Sequence, residues 1–215
     1  MLRIKRFVFN PFGENTYLAW DDTNNEAAII DPGMTDEAER RLLAEFIEAN
    51  RLKVTQIINT HLHLDHCFGD NYVKEKYGAQ IKASPLDGSL GASVDTQASM
   101  FGLHIDPKYN VTTDVPLHDG DTLSIGAYTF EVIAVPGHSP GGIALYCPEA
   151  RIAFVGDSIF AGGIGRTDLP GGDYDTLIEA LRTQVLSLPP DTQLLPGHDR
   201  PTTVAAEAST NPYLR

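Results

Sequence analysis

The six residues His61-Leu62-His63-Leu64-Asp65-His66 constrain this chain more than any other stretch. They carry three imidazoles and a carboxylate, and they come directly after the apolar run 54–59. That run reads as a buried strand, so the cluster belongs where a strand ends and the chain turns. His61 and His63 are two apart, and in extended backbone their side chains leave the same face. Asp65 and His66 follow after the turn and can address a neighbouring point. Neutral imidazole and carboxylate are common ligands of divalent metals. The spacing suits two adjacent ions better than one.

Three further candidates occupy matching places. His138 follows Gly137 after the strand-like run 129–135, Asp157 follows Gly156 after 152–155, and His198 follows Gly197 after 193–195. Each is a polar residue at the end of an apolar run with glycine just before it. Glycine permits sharp turns and close backbone approach, which would aim these side chains at one place. Any one of them alone reads as an ordinary loop histidine or turn aspartate. Their coincidence with the first cluster makes them ligand candidates.

The order His-x-His-x-Asp-His, Gly-His, Gly-Asp, Gly-His resembles the metallo-β-lactamase fold superfamily. Within it, the chain is similar to the short, single-domain glyoxalase II-like (hydroxyacylglutathione hydrolase-like) thioester hydrolases. The likeness runs from about Phe12 to the C-terminus. It takes in Ile30-Asp31-Pro32-Gly33, the block Gly165-Arg166-Thr167-Asp168-Leu169-Pro170-Gly171-Gly172, and the tail Pro201-Thr202-Thr203 with Asn211-Pro212.

The resemblance implies an α/β fold, an αββα sandwich of two packed mixed sheets flanked by helices, as one hydrolase domain over residues 1–215. It implies two divalent ions, zinc first, with iron or manganese as alternatives. One would sit on His61, His63 and His138, the other on Asp65, His66 and His198, with Asp157 shared between them. The substrate would be a small-molecule acyl thioester of the S-lactoylglutathione type, attacked by metal-bound hydroxide, with Asp65 also counted as catalytic. Thioesters suit such a site, because a thiolate with a pKa of about 8.5 departs without a strong general acid.

Two residues beside these motifs have two readings each. Asp31 reads as a carboxylate behind the His cluster that orients it, and equally as a turn aspartate before Pro-Gly. Arg166 follows Asp157 closely and can clamp a substrate carboxylate, or it can pair internally with Asp168 or Asp173. Gly-Arg-Thr-Asp stands where long glyoxalase II enzymes resemble Gly-Lys-Phe/Tyr. With 17 residues after His198, the helical C-terminal domain that supplies most glutathione contacts in those enzymes is not expected here. A loosely held thiol carrier follows. The same block is similar to persulfide dioxygenases, which use one iron on residues matching His61, His138 and Asp157; this is the alternative reading. Leu169-Pro170-Gly171-Gly172 and the tail favour the hydrolases. β-Lactamases lack the shared carboxylate that Asp157 supplies, and flavodiiron-type reductases usually have Glu where His63 stands.

A net charge of −13 argues against nucleic acid as a partner, since phosphate contact needs a basic face. The basic start Met1–6 is not followed by an apolar h-region, so no signal peptide is expected, and no segment is long enough to span a membrane. Cys67 and Cys147 make no disulfide framework, which fits a reducing, cytoplasmic setting. Cys67 reads as a small buried residue opening the next helix, Cys147 as a strand residue.

Elsewhere, strands are expected over 3–9, 16–20, 27–30, 54–59, 80–83, 122–125, 128–135, 143–146 and 152–155, with a last one ending before His198. Helices are expected over 36–50 with Thr35 as N-cap, over 68–77 ending at Gly78, and over 174–188 before Pro189-Pro190. The stretch 85–116 is the least patterned. Its part 86–103 reads as partly helical, interrupted by Gly88, Gly91 and Gly102. It could wall the metals, with Met100, Phe101, Leu103 and Tyr109 facing substrate, or pack as a helix on the sheet. His104 and His118 read as surface histidines.

Overall fold

Period-two burial on strands covered from both sides sets the architecture. The computed structural model describes residues 1–215. Its first sheet is formed by β1 (Leu2–Phe9), β2 (Glu14–Asp21), β3 (Glu26–Ile30), β4 (Lys53–Ile58), β5 (Gln80–Ala83) and β6 (Val115–Pro116), in that spatial order. The first hairpins are antiparallel, and β3 to β6 are parallel. The second sheet contains β7 (Thr122–Ile125), β8 (Tyr128–Ala134), β9 (Ile143–Cys147), β10 (Ile152–Gly156), β13 (Gln193–Pro196) and β14 (Thr202–Thr203), ordered β14-β13-β10-β9-β8-β7. The short strands β11 (Ile159–Phe160) and β12 (Gly163–Ile164) pair as a separate hairpin.

Neighbouring side chains on each central strand enter different cores. Ala28 and Ile30 of β3, with Ile58 of β4, meet Ile125, Phe130, Leu145 and Phe154 of the other sheet. Ile29 and Ile57 point the opposite way, onto α1 (Glu37–Ala49) through Leu43 and Ile47, and onto α3 (Asp70–Tyr77) through Val73. In the second sheet Ala153 and Val155 turn outward to Leu177, Leu181 and Val185 of the helix that begins with α6 (Tyr174–Ala180). Strands buried on both faces can be apolar at every position, which is why they read as continuous runs. The result is helix, sheet, sheet, helix: the expected αββα sandwich. No helix is long and apolar enough to cross a membrane.

Several local readings are corrected. The N-cap of α1 is Asp36, not Thr35: its carboxylate accepts the Glu39 N–H at 2.8 Å, while Thr35 donates instead to the Glu39 side chain. The helix expected over 68–77 is α3, which starts two residues later, and an unexpected one-turn helix, α2 (Leu64–Cys67), precedes it. Between them, Gly69 N–H donates to Pro32 O at 2.6 Å, so the backbone there serves a tertiary contact. Cys67 therefore closes a one-turn helix rather than opening one, and it is buried. The helix over 174–188 widens after Ala180 into a π-type turn, Leu181–Val185.

Within 85–116 lie α4 (Gly88–Gly91), α5 (Val94–Met100) and two single 3-10 turns. Val94 and Ala98 join the first core, but α5 packs on α2, α4 and the turn at 107–109 rather than on a strand, while Phe101 faces the metal-motif residues. The last helix is α7 (Val204–Thr210). His104 and His118 are exposed.

Candidate metal centre

Five strands deliver their ends to one rim. In the first sheet β3 leads into Asp31 and β4 into Thr60–His66. In the second, β10 and β13 are parallel to each other, and β9 is antiparallel to both β8 and β10. So β8, β10 and β13 run the same way and end at His138, Asp157 and His198. The glycines before these residues serve close approach. A Cβ on Gly197 would collide with Asp157 Oδ1 and His66 Cε1, and one on Gly156 with Thr60 Oγ1. The first sheet also holds the last loop: Tyr17 hydroxyl donates to Pro196 O at 2.8 Å and Asn15 N–H to Gly197 O at 2.7 Å.

The rim gathers all seven predicted ligands, six of them in two groups and Asp157 between the groups. His61, His63 and His138 present nitrogens within 4.8 Å of one another, and so do the ligand atoms of Asp65, His66 and His198. His63 Nδ1 and His138 Nε2 are 2.8 Å apart. His198 Nε2 lies 3.1 Å from Asp65 Oδ2. The Asp157 carboxylate lies between the groups. Its Oδ1 is 3.4 Å from His66 Nε2, and its Oδ2 is 3.8 Å from His138 Nε2 and 3.5 Å from His198 Nε2.

Neighbours fix which ring nitrogen faces inward. Thr60 N–H donates to Asp31 Oδ1 at 2.7 Å, and Thr60 hydroxyl donates its one proton to Asp31 Oδ2 at 2.7 Å. Toward His61 Nδ1, 3.1 Å away, that hydroxyl therefore accepts, which leaves Nε2 as the free lone pair. His138 Nδ1 donates to Arg166 O at 2.8 Å and turns Nε2 to the cluster. His66 Nδ1 is 3.2 Å from Asp31 Oδ2. Asp31 thus stands behind both groups, and it adopts a left-handed φ of 50° to do so.

Burial, reinforced by the neighbouring rings, pushes His61 well below its ordinary pKa and His63 down to about 3, so both are neutral and able to ligate. Burial also opposes charge on His66, but Asp157 and Asp65 outweigh it and raise that ring well above its usual value. His61 Nε2, His66 Nε2 and Asp157 Oδ1 are buried and have no hydrogen-bond partner. A buried polar atom left so costs about 1–3 kcal/mol. Three converging on one space fit divalent cations, and the donor set of imidazole and carboxylate is right for zinc, iron or manganese.

Sequence reasoning missed Asp87. It is fully buried and grips both histidine loops of the first group. Leu62 N–H (3.2 Å) and Ser139 hydroxyl (2.7 Å) donate to its Oδ2, and Gly141 N–H (2.6 Å) to its Oδ1. Burial raises its pKa in spite of these donors. Gln97 acts similarly, accepting from Leu64 N–H at 3.1 Å and donating to Leu62 O at 3.1 Å. Both come from the weakly patterned stretch, and no local motif marks either.

Arg166 pairs with Asp168 through two hydrogen bonds, 2.7 and 2.8 Å, the internal pairing that was one of its two readings. It still borders a cavity of about 180 Å³ over the predicted ligands, whose lining also includes Phe12 and Phe101. Met100 and Phe101 stand near His63 on one side of the rim. Leu103 and Tyr109 instead face an adjoining cavity beyond Phe12.

The metallo-beta-lactamase superfamily model matches residues 9–198. A hydroxyacylglutathione hydrolase GloC of Haemophilus influenzae is 41% identical over 99% of this chain and 98% of its own length. The crystal structure of the BLEG-1 B3 metallo-beta-lactamase superposes with a TM-score of 0.87 at 29% identity, covering 99% of each chain. TTHA1623 in a di-iron-bound form superposes with a TM-score of 0.85 at 37% identity, covering 98% of this chain and 100% of the other. The motif order, the four-layer fold and these full-length likenesses agree, and the chain belongs to the metallo-beta-lactamase superfamily.

Proposed function

We propose that this protein is a metal-dependent hydrolase of acyl thioesters, working in the cytoplasm with two divalent ions, zinc first among them. The observation that carries the metal part is the convergence of three unpartnered buried atoms, His61 Nε2, His66 Nε2 and Asp157 Oδ1. His61, His63 and His138 would hold one ion, Asp65, His66 and His198 the other, and Asp157 both. The thioester part is supported by the GloC likeness along the whole chain. Ions held there would supply Lewis acidity, lowering the pKa of a water toward neutrality and polarising a carbonyl.

The chain's own residues do the rest. Asp157 fixes the separation of the two groups, and Asp31 with Thr60 locks the ring orientations. Asp65 is the one carboxylate of the second group, a ligand and a proton acceptor in a single residue. Phe12, Phe101 and Leu169 keep one side of the reaction space apolar. The leaving thiolate, with a pKa of about 8.5, needs no acid from the protein.

The test loads the protein with zinc alone and assays S-lactoylglutathione under argon. Thiol release well above the metal-free control is expected. No release, together with persulfide-dependent oxygen uptake by the iron form, would replace the reading with the dioxygenase. Faster turnover of a β-lactam than of any thioester would replace it with lactam hydrolysis.

A further inference from the structure

The cavity over the ligands, about 180 Å³, is smaller than ordinary ligand pockets of about 300–1,000 Å³. It has room for the scissile bond and a small acyl group, so the rest of a thioester must leave it. Phe12 and Phe101 form one of its sides, edge to face with centroids 5.6 Å apart. Beyond Phe12 opens a second cavity of about 380 Å³, more apolar, bordered by Phe68, Leu103, Ile105 and Tyr109. Phe68 and Tyr109, also edge to face at 6.1 Å, separate it in turn from a third cavity of about 270 Å³. Each space shares aromatic lining residues with the next, so the three lie in a row leading away from the predicted metal ligands.

The far end of that row carries two cations, on a chain whose net charge is −13. Arg40 and Lys108 border it together with Glu75, and Lys108 Nζ lies 3.9 Å from Asp106, an exposed and weak ion pair. The Arg40 guanidinium lies 5.2 Å above the Tyr72 ring, and its side chain is 18% exposed. Its partners are weak: a 3.3 Å bond to the neutral Tyr109 hydroxyl and a 3.5 Å approach to Glu37, itself 85% exposed. Its Nε is buried and has no partner. A guanidinium oriented by stacking and left with unused donors is suited to a carboxylate or phosphate.

We propose that this row of adjoining spaces is the subsite for the thiol carrier: the carrier's uncharged arm runs past Phe12 along the apolar space, and an anionic group at its end meets Arg40 and Lys108. The inference rests on the hydrolase reading and extends it to substrate class, an acyl thioester of a long carrier with an anionic terminus. Glutathione offers carboxylates there and coenzyme A phosphates.

Calorimetric titration of the zinc-loaded protein with free thiols tests it without turnover. N-Acetylcysteamine, glutathione and coenzyme A all offer a thiol to the metals, so differences among them report the rest of the carrier. The wild type should bind glutathione or coenzyme A at least about tenfold more tightly than N-acetylcysteamine, and the winner tells carboxylate from phosphate. Arg40→Gln should erase most of that advantage, and Arg40→Lys should keep part of it. Lys108→Gln, at a 68% exposed side chain that cannot endanger folding, should lose a smaller share in the same direction. No advantage in the wild type, or an advantage that survives in both Arg40→Gln and Lys108→Gln, overturns the proposal. Carrier binding that depends on Arg40 without thioester turnover would sink the hydrolase reading instead; turnover indifferent to Arg40 would sink only the subsite.

Discussion

Asp157 and Asp21 are both largely buried aspartates at opposite rims of the sandwich, and they differ in one respect. β2 starts with Glu14 beside the ligands and ends with Asp21, seven steps of about 3.3 Å away. The Asp21 carboxylate is satisfied: Oδ1 accepts from Thr23 N–H at 3.0 Å and Thr23 hydroxyl at 2.8 Å, and Oδ2 from Ala127 N–H at 3.0 Å. It pins the β7–β8 turn to the first sheet. Asp157 Oδ1 is equally inaccessible and has no donor. A complete set of hydrogen bonds marks a carboxylate that serves the fold. An incomplete one, facing imidazole nitrogens that are also incomplete, is what the proposed metal ligand Asp157 should show.

The largest effect should come from breaking that contrast at the site. Asp157→Ala removes the proposed shared ligand and should release both ions, with kcat/KM falling about a thousandfold or more. The metal-free variant should melt no lower than the metal-free wild type, because the lost group had no donor to lose. Elemental analysis and calorimetry read both outcomes. Two ions held tightly by this variant would remove Asp157 from the shared position.

Asp87→Asn should come next. An amide in place of the carboxylate sets N–H against at least one of the three donors it now accepts from. The ion on His61, His63 and His138 should weaken about 10- to 100-fold, the usual scale for a residue behind a ligand shell, and the ion on Asp65, His66 and His198 much less. Stepwise chelator competition separates the two. Equal weakening of both ions would mean that Asp87 supports the rim as a whole rather than the first group.

That asymmetry also explains what was legible in the sequence. The ligand candidates stood out because each lies within a few residues of a strand end and its glycine, so a local pattern carries the message. Asp87 takes its donors from 62, 139 and 141, and no run of neighbours predicts such a contact. The Asp36 cap and the start of α3 were misplaced for a related reason. Thr35 is an equally good capping residue by type, and which of two adjacent residues caps depends on where Glu39 turns. The start of α3 follows from the tertiary bond of Gly69 to Pro32. The four-layer fold was legible because apolar runs and amphipathic helices recur in both halves.

At the opposite rim, Asp21→Asn should affect stability and leave metal content alone. Hydrogen bonds from Thr23 N–H and Ala127 N–H, opposed by burial, hold the Asp21 carboxyl down to about 2. A depressed carboxyl stabilises the fold at pH above its unfolded value of about 4 and loses that contribution as pH falls toward 2. The variant should melt on the order of 5 °C lower at neutral pH and show a smaller further loss across that acid window. An unchanged acid profile would mean that Asp21 is not the group titrating there.

The smallest effect should be Arg166→Ala. The side chain is 53% exposed and its partner Asp168 is 69% exposed, and such a pair contributes about 0–1 kcal/mol. What Arg166 gives the centre is its carbonyl, which accepts from His138 Nδ1, and truncation to alanine leaves that carbonyl in place. KM should therefore rise about two- to fivefold with kcat nearly unchanged, the sign of lost uniform binding. A collapse of kcat would show that the pair with Asp168 is needed to hold the 165–168 backbone, and through it the His138 ring. Asp168→Asn separates the two cases. If the pair positions the backbone, Asp168→Asn should reproduce the collapse; if Arg166 only touches substrate, freeing it from Asp168 should leave KM equal or lower.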